Sequence, residues 1–186
     1  ALSRPDISKV INYDSLTYSG NLKNLEDING DNRYKFVHAS INDKDEMMAT
    51  LLKENIEIVI HLAAESHVDR SIDSVEPFVK TNIDGTRVLL ECIRESMDLD
   101  YKIKLIHVST DEVYGSLNAE DNPFVEDTPL DPKNPYAATK AASDMLVKSF
   151  INKYKNKAII TRCTNNYEPN QFTEKLIPLM MLNATE

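Results

Sequence analysis

The sequence predicts an α/β protein built on a Rossmann-like, doubly wound parallel sheet, because short apolar runs alternate with amphipathic segments along its 186 residues. The strongest run, IEIVIHLAA at 56–64, is nearly continuous, which is typical of a strand buried on both faces of a parallel sheet. A second run, IKLIHVST, occupies 103–110. Between the two, residues 76–96 carry apolar side chains at helical spacing.

The remaining segments follow the same alternation. Asp43 is placed to cap the first turn of one helix, and Asn134 with Pro135 forms a cap and first-turn pair for another. Strand patterns occupy 8–14, 34–40 and 157–166, and helical patterns occupy 43–55, 135–154 and 174–184.

Composition limits the classes of partner. The net charge is −9 and the basic residues are scattered, which argues against nucleic acid or an anionic membrane as the main partner. No apolar run is long enough to span a bilayer. Cys92 and Cys163 suggest no disulfide framework. We therefore expect a cytoplasmic protein.

Tyr136 and Lys140 in PYAATK lie four residues apart, on one face of a predicted helix. An ammonium beside a phenol favours the phenolate and lowers the phenol's pKa from about 10, which equips a tyrosine to take a proton from an alcohol. A solvated surface pair has the same spacing. The chemical interpretation is favoured because the pair follows a strand that ends in Ser109 and Thr110.

Two adjacent carboxylates, Asp111 and Glu112, come directly after that strand. A surface loop could carry them without a function. Neighbouring carboxylates can also divide their pKa values between an acid and a base, which an elimination reaction requires.

Asp14 ends the first strand pattern. In dinucleotide-binding folds an acidic residue at the end of the second strand binds ribose hydroxyls, about 20 residues after a Gly-rich turn. Counting back that far from Asp14 runs off the chain. Either Asp14 is a turn residue, or the first strand and its Gly-rich loop are missing. Small residues in HLAAESHVDRS at 61–71 would let a cofactor approach a second strand end.

Taken together, the ordered motifs HLAAESHVDRS, KTNIDGT, STDEVYG, PYAATK and TRCTNNYEP with EKLIP resemble the nucleotide-sugar 4,6-dehydratases of the extended short-chain dehydrogenase/reductase family. The resemblance runs from about residue 8 to the end of the chain. It implies NAD as cofactor and dehydration of dTDP- or UDP-glucose to the 4-keto-6-deoxy sugar nucleotide, with hydride moved from C4 to C6. It also implies a homodimer when the protein is full length.

The resemblance assigns five catalytic residues. Thr110 would hydrogen-bond the sugar C4 oxygen, and Tyr136 would take the C4 hydroxyl proton as NAD+ accepts the hydride. Lys140 would lower the tyrosine pKa and bind the nicotinamide ribose. Glu112 would remove the C5 proton, and Asp111 would protonate the departing C6 hydroxyl.

Binding residues are implied in the same way. The cofactor would contact Asp14, Ser15, Leu16, Thr17, Gly20, Ser40, Ile41, Leu62, Ala63, Ala64, Ser66, Thr81, Tyr136, Lys140 and Asn166, and the substrate would contact Ser66, Arg70, Thr110, Asn165, Lys175 and Leu176. No metal is implied.

The sequence departs from the family pattern in three respects. The first strand with its Gly-rich loop and the C-terminal substrate domain are absent, so residues 1–186 are predicted to be a partial NAD-binding domain that binds NAD weakly when alone. Ser40 stands where an adenine-binding Asp is usual, and Glu168 stands where a Gly is usual. Two alternatives stay open: a related sugar-nucleotide epimerase or decarboxylase, and a truncated, non-catalytic paralogue.

Overall fold

The computed structural model describes residues 1–185, which form two compact units, residues 1–39 with 165–185 and residues 40–164. The strands are β1 (Val10–Asp14), β2 (Tyr34–His38), β3 (Ile58–His61), β4 (Lys104–Thr110) and β5 (Ala158–Cys163). The helices are α1 (Lys44–Lys53), α2 (Val68–Asp73), α3 (Glu76–Phe78), α4 (Thr86–Met97), α5 (Pro135–Tyr154) and α6 (Leu176–Asn183), with 3-10 helices at Leu22–Ile28 and Asp111–Tyr114 and a π-helix at Val79–Gly85.

Every strand pair is parallel, which confirms the predicted fold class. In the first unit β1 pairs with β2, so that Asp14 lies opposite His38. In the second unit the order is β3-β4-β5, with Thr110 opposite Cys163. The strands of residues 1–185 therefore form two hydrogen-bonded sheets, one of two strands and one of three.

The core of the second unit lies between its sheet and the helices α1, α4 and α5. Leu89, Cys92 and Ile93 on α4 are completely buried or nearly so. The prediction that the strand within 56–64 is covered on both faces is wrong. His61 is buried, but Ile58 and Ile60 are 48% and 56% exposed, because alternate side chains of β3 point to opposite faces and the helices of this unit cover only one.

The helical segment predicted at 76–96 is present but is not a regular α-helix throughout. It runs from α3 through the π-helix into α4. At Gly85 an added Cβ would lie 2.4 Å from Ile41 Cγ2, so only glycine permits this close packing. Among the helices formed by residues 1–185, none is both long and apolar enough to cross a membrane.

Candidate active site

The end of β4 turns directly into the 3-10 helix that carries the two carboxylates. Thr110 caps this helix, since its Oγ1 accepts a hydrogen bond from the Glu112 backbone N–H at 3.3 Å. The same hydroxyl donates to Asp111 Oδ1 at 3.3 Å. Thr110 is 8% exposed, whereas both carboxylate residues are partly exposed. The cap therefore fixes two acidic side chains at the carboxyl end of a central strand, where ligands bind in open α/β sheets.

Helix α5 presents Tyr136 and Lys140 from its first two turns. Asn134 caps the helix, because its Oδ1 accepts a hydrogen bond from the Ala137 backbone N–H at 2.7 Å. Pro135 occupies the first helical position, as predicted. The Tyr136 backbone N–H donates to Ser71 Oγ at 3.2 Å, which ties this end of the helix to α2.

The Tyr136 phenol is strongly influenced by its surroundings. Burial raises its pKa to about 12, and the negative charge of Glu112 adds to this effect, while a hydrogen bond with Thr110 opposes it. The net shift of this pKa is upward, because burial and the Glu112 carboxylate dominate, and the lowering by Lys140 stays a prediction. Tyr136 therefore lies in contact with the Thr110 hydroxyl and within electrostatic reach of the carboxylate pair.

Lys140 is 4% exposed, and its Nζ donates to the Val108 carbonyl at 2.7 Å. Burial lowers its pKa to about 8, although the nearby Asp144 carboxylate favours the charged form. The ammonium has three donors, of which Val108 takes one. Lys140 is thus held at the strand and carries a proton that it loses far more readily than an exposed lysine does.

A buried polar network lies behind these residues and joins β4, β5, α5 and the 3-10 helix. The Arg162 guanidinium donates from Nε to Asp144 Oδ2 at 2.9 Å and from Nη1 to the Tyr114 hydroxyl at 2.8 Å. His107 Nε2 lies 3.3 Å from Asp144 Oδ1. Burial disfavours the charged form of Asp144, but the neighbouring His107 and Arg162 outweigh it and hold its pKa below the usual range. Burial also lowers the pKa of His107.

One buried side chain, that of Asn82, fixes the backbone of the segment that follows β3. Asn82 in the π-helix accepts a hydrogen bond from the Glu65 N–H at 2.9 Å, and its Nδ2 donates to the Glu65 carbonyl at 3.0 Å and to Thr139 Oγ1 at 2.9 Å. The predicted binding residues Leu62, Ala63, Ala64, Ser66 and Arg70 lie on this segment or just after it, and all except the partly buried Ala64 are exposed.

Three further predicted residues belong to the second unit: Ser40, Ile41 and Thr81. Ser40 Oγ accepts a hydrogen bond from the Asn42 N–H at 3.2 Å. Ile41 is buried against Gly85, so a ligand contact there would involve its backbone. Thr81 lies in the π-helix and is partly buried.

In the first unit, the chain leaves β1 through a tight turn. Asp14 Oδ1 accepts a hydrogen bond from the Leu16 N–H at 2.7 Å, and Leu16 has a φ of 48°. The Gly20 N–H donates to the Thr17 carbonyl at 2.8 Å, and an added Cβ on Gly20 would lie 2.8 Å from Leu16 Cα. The predicted residues Asp14, Ser15, Leu16, Thr17 and Gly20 are therefore brought together in one turn.

The predicted substrate contacts of this unit, together with the predicted cofactor contact Asn166, follow β5 in the chain. Asn165 and Asn166 are exposed, and the Asn166 carbonyl accepts a hydrogen bond from Gln171 Nε2 at 3.0 Å. Lys175 precedes α6, and Leu176 opens that helix with 70% of its surface exposed.

Four residues with clear roles in this geometry were not identified from the sequence: Asn82, Asn134 as a carboxylate partner, Asp144 and Arg162. Asn134 Nδ2 donates to Glu112 Oε2 at 3.0 Å in addition to capping α5. A charged residue within an apolar strand, as at Arg162, and an asparagine within a helical pattern, as at Asn82, were the available signals.

Comparison with known proteins agrees with this geometry. The family model described as GDP-mannose 4,6 dehydratase matches residues 2–186. The chain belongs to this family. One relative is the dTDP-glucose 4,6-dehydratase of Neisseria gonorrhoeae, which is 47% identical to this chain over 180 residues. The match covers 94% of this chain and 52% of that protein. The resemblance found in the sequence motifs is confirmed.

Solved structures of family members superimpose closely on the chain. The dTDP-glucose 4,6-dehydratase of Streptomyces venezuelae, with NAD bound, gives a TM-score of 0.89 at 43% identity and covers 97% of this chain and 54% of that one. The enzyme of the same name from Bacillus anthracis, in complex with NAD, gives 0.87 at 41% identity, covering 99% and 55%. The chain thus spans about half the length of the relatives it matches.

Proposed function

We propose that the whole protein is a nucleotide-sugar 4,6-dehydratase that converts dTDP- or UDP-glucose to the 4-keto-6-deoxy sugar nucleotide, with NAD as an internal hydride carrier. The observation that carries this proposal is the carboxylate pair Asp111–Glu112 beside Thr110 and Tyr136. An elimination needs an acid and a base close to the group that oxidises the sugar, whereas a simple reductase or an epimerase does not.

Residues of each unit, taken separately, fit parts of an NAD cofactor. Asp14 ends β1 with an exposed carboxylate, the acceptor that ribose hydroxyls require. Leu62 and Ala63 leave the backbone after β3 open to a flat ligand. Lys140 has donors beyond the one bound to Val108. When bound, NAD+ would accept a hydride from sugar C4 and return it at C6. The NAD in the Streptomyces venezuelae and Bacillus anthracis structures supports this assignment.

Tyr136 would take the proton from the C4 hydroxyl. A phenolate at Tyr136 would accept this proton. Burial and the Glu112 charge raise the pKa of the phenol to about 12, and the hydrogen bond with Thr110 acts in the opposite direction, toward the phenolate. To hold the C4 oxygen as a donor, the Thr110 hydroxyl would turn its single proton from Asp111 Oδ1 to the sugar. We assign Lys140 to the nicotinamide ribose.

The carboxylates would carry out the elimination. A ketone at C4 acidifies the C5–H bond, and Glu112 takes that proton as the C6–O bond breaks. Asp111 gives its proton to the C6 oxygen, which leaves as water. Glu112 can return its proton to C5, and the proton gained by Tyr136 replaces the one lost by Asp111. The site then regains its starting protonation, with one water lost overall.

The test is product analysis of the whole protein incubated with dTDP-glucose and, separately, with UDP-glucose. We expect a 4-keto-6-deoxy product from one of them and its loss in Asp111→Asn and Glu112→Gln variants. A product epimerised at C4 with no loss of water would refute the dehydratase assignment and favour the epimerase alternative. Absence of any reaction in the whole protein would favour the non-catalytic alternative.

We also infer a cytoplasmic homodimer for the whole protein. Cys92 and Cys163 lie far apart in the sequence and form no disulfide within residues 1–185, which suits a reducing compartment. The small side chains of α5, among them Ala138 and Ala142, would permit close approach of a second copy. Light scattering of the whole protein tests the dimer.

A further inference from the structure

Asn134 makes two side-chain hydrogen bonds in opposite directions. Its Oδ1 accepts from the Ala137 N–H at 2.7 Å and so caps α5. Its Nδ2 donates to Glu112 Oε2 at 3.0 Å. The orientation of the amide is fixed by this pair of contacts, because the helix offers only a donor and an ionised carboxylate offers only acceptors.

Capping alone does not explain why an asparagine is present. Serine, threonine and aspartate cap helices about as well. An aspartate would place a second negative charge against Glu112, and the shorter serine lacks a separate amide donor on the far side of the cap. Only an amide of this length accepts from the helix with one atom and donates to the carboxylate with another.

The contact also connects the 3-10 helix that carries Glu112 with helix α5, which carries Tyr136. Glu112 raises the pKa of Tyr136, which lies two residues after Asn134. Asn134 therefore sets the distance between the carboxylate and the helix that bears the phenol. Because it holds Oε2, the proton acceptor facing the sugar would be the other oxygen, Oε1.

We propose that Asn134 is a positioning residue for the Glu112 carboxylate, holding it in the orientation that removes the C5 proton. This inference rests on the proposed dehydratase function. A hydrogen bond to a charged group is worth about 1.5–3 kcal/mol, which converts to a loss of roughly 10- to 100-fold in rate if it acts only on the proton transfer.

The decisive variant is Asn134→Ser in the whole protein, since serine retains the cap and removes the amide donor. We expect a melting temperature close to that of the unmodified protein and a kcat lower by about tenfold or more. We expect the deuterium isotope effect from substrate labelled at C5 to increase and the effect from label at C4 to decrease, because C5 proton removal becomes rate-limiting. Asn134→Asp should lose more activity than Asn134→Ser.

Asn118→Ser is the matched control. The Asn118 amide also donates to a carboxylate, Asp121 Oδ2 at 2.9 Å, but on an exposed loop. This variant should leave kcat and both isotope effects unchanged. A general structural role for Asn134 would lower the melting temperature or the active fraction without changing the isotope effects, and that result would overturn the proposal.

A measurement without substrate tests the contact itself. The Asn134 side-chain amide, identified in a nitrogen-15 spectrum by its loss in Asn134→Ser, should exchange with water several-fold faster in Glu112→Ala. Unchanged exchange would overturn the inference whatever the activity. If the unmodified protein makes no 4-keto-6-deoxy product, the proposed function fails; if it does and Asn134→Ser behaves normally, only the role of Asn134 fails.

Discussion

Replacing Asp144 with alanine tests the buried polar network most directly. The Asp144 side chain is completely buried and the Arg162 side chain is only 10% exposed. Asp144→Ala would leave the Arg162 guanidinium without a hydrogen-bond partner at Nε, in a largely buried environment. Removing one member of a buried pair costs about 3–5 kcal/mol, because the remaining charge is desolvated without compensation. We therefore expect a loss of about 3–5 kcal/mol in the free energy of unfolding.

The assay is urea unfolding followed by circular dichroism. Asp98→Ala serves as the control, because Asp98 forms an exposed ion pair with Arg94 at 3.2 Å and should change the free energy of unfolding by less than about 0.5 kcal/mol. Adding Arg162→Met to Asp144→Ala should recover part of the loss, since both charged partners are then gone. A loss below about 1 kcal/mol for Asp144→Ala would refute this reasoning.

Two further predictions concern Lys140 and Gly115. The pKa of Lys140 is lowered from 10.5 to about 8, so between these values the unfolded chain binds more protons than the folded one and stability rises with pH. Between pH 7.5 and 10 the free energy of urea unfolding should rise by about 2–3 kcal/mol more in the unmodified protein than in Lys140→Met, and equal changes would contradict the assigned pKa. Gly115 has a φ of 95°, and an added Cβ would lie 2.6 Å from the Asp131 carbonyl oxygen. Gly115→Ala should therefore lower the free energy of unfolding by roughly 2 kcal/mol or more, whereas Gly30→Ala, which has open space around it, should have little effect; equal effects of the two would exclude the steric explanation.

The sequence was sufficient for the features set by local pattern. Strand and helix alternation identified the parallel α/β class. The cap at Asn134 with Pro135 located the start of α5 correctly, and the cap at Asp43 was also correct, since its side chain accepts from the Glu46 N–H at 3.1 Å. These features depend on side chains within one turn of the backbone they stabilise.

Features set by tertiary packing were not predictable in this way. The spacing of Tyr136 and Lys140 placed them on one helix face, but burial, which reverses the expected pKa shift of the phenol, comes from other elements. The apolar run at 56–64 did not reveal that Ile60 would be exposed. Asn82 lay within a motif recognised in the sequence, yet its bonds to Glu65 and Thr139 join segments 17 and 57 residues away.

The two bonds of Asn134 have a consequence for the fluctuations of the native state. Both are made by one side chain, so any opening of the first turn of α5 releases the Ala137 N–H and the Glu112 carboxylate in the same event. Helix ends open with a free energy well below that of global unfolding, and a cap is worth about 1 kcal/mol, or about a fivefold change in the open population. The fraction of molecules with an ordered carboxylate is thus governed by the fraying of a helix end.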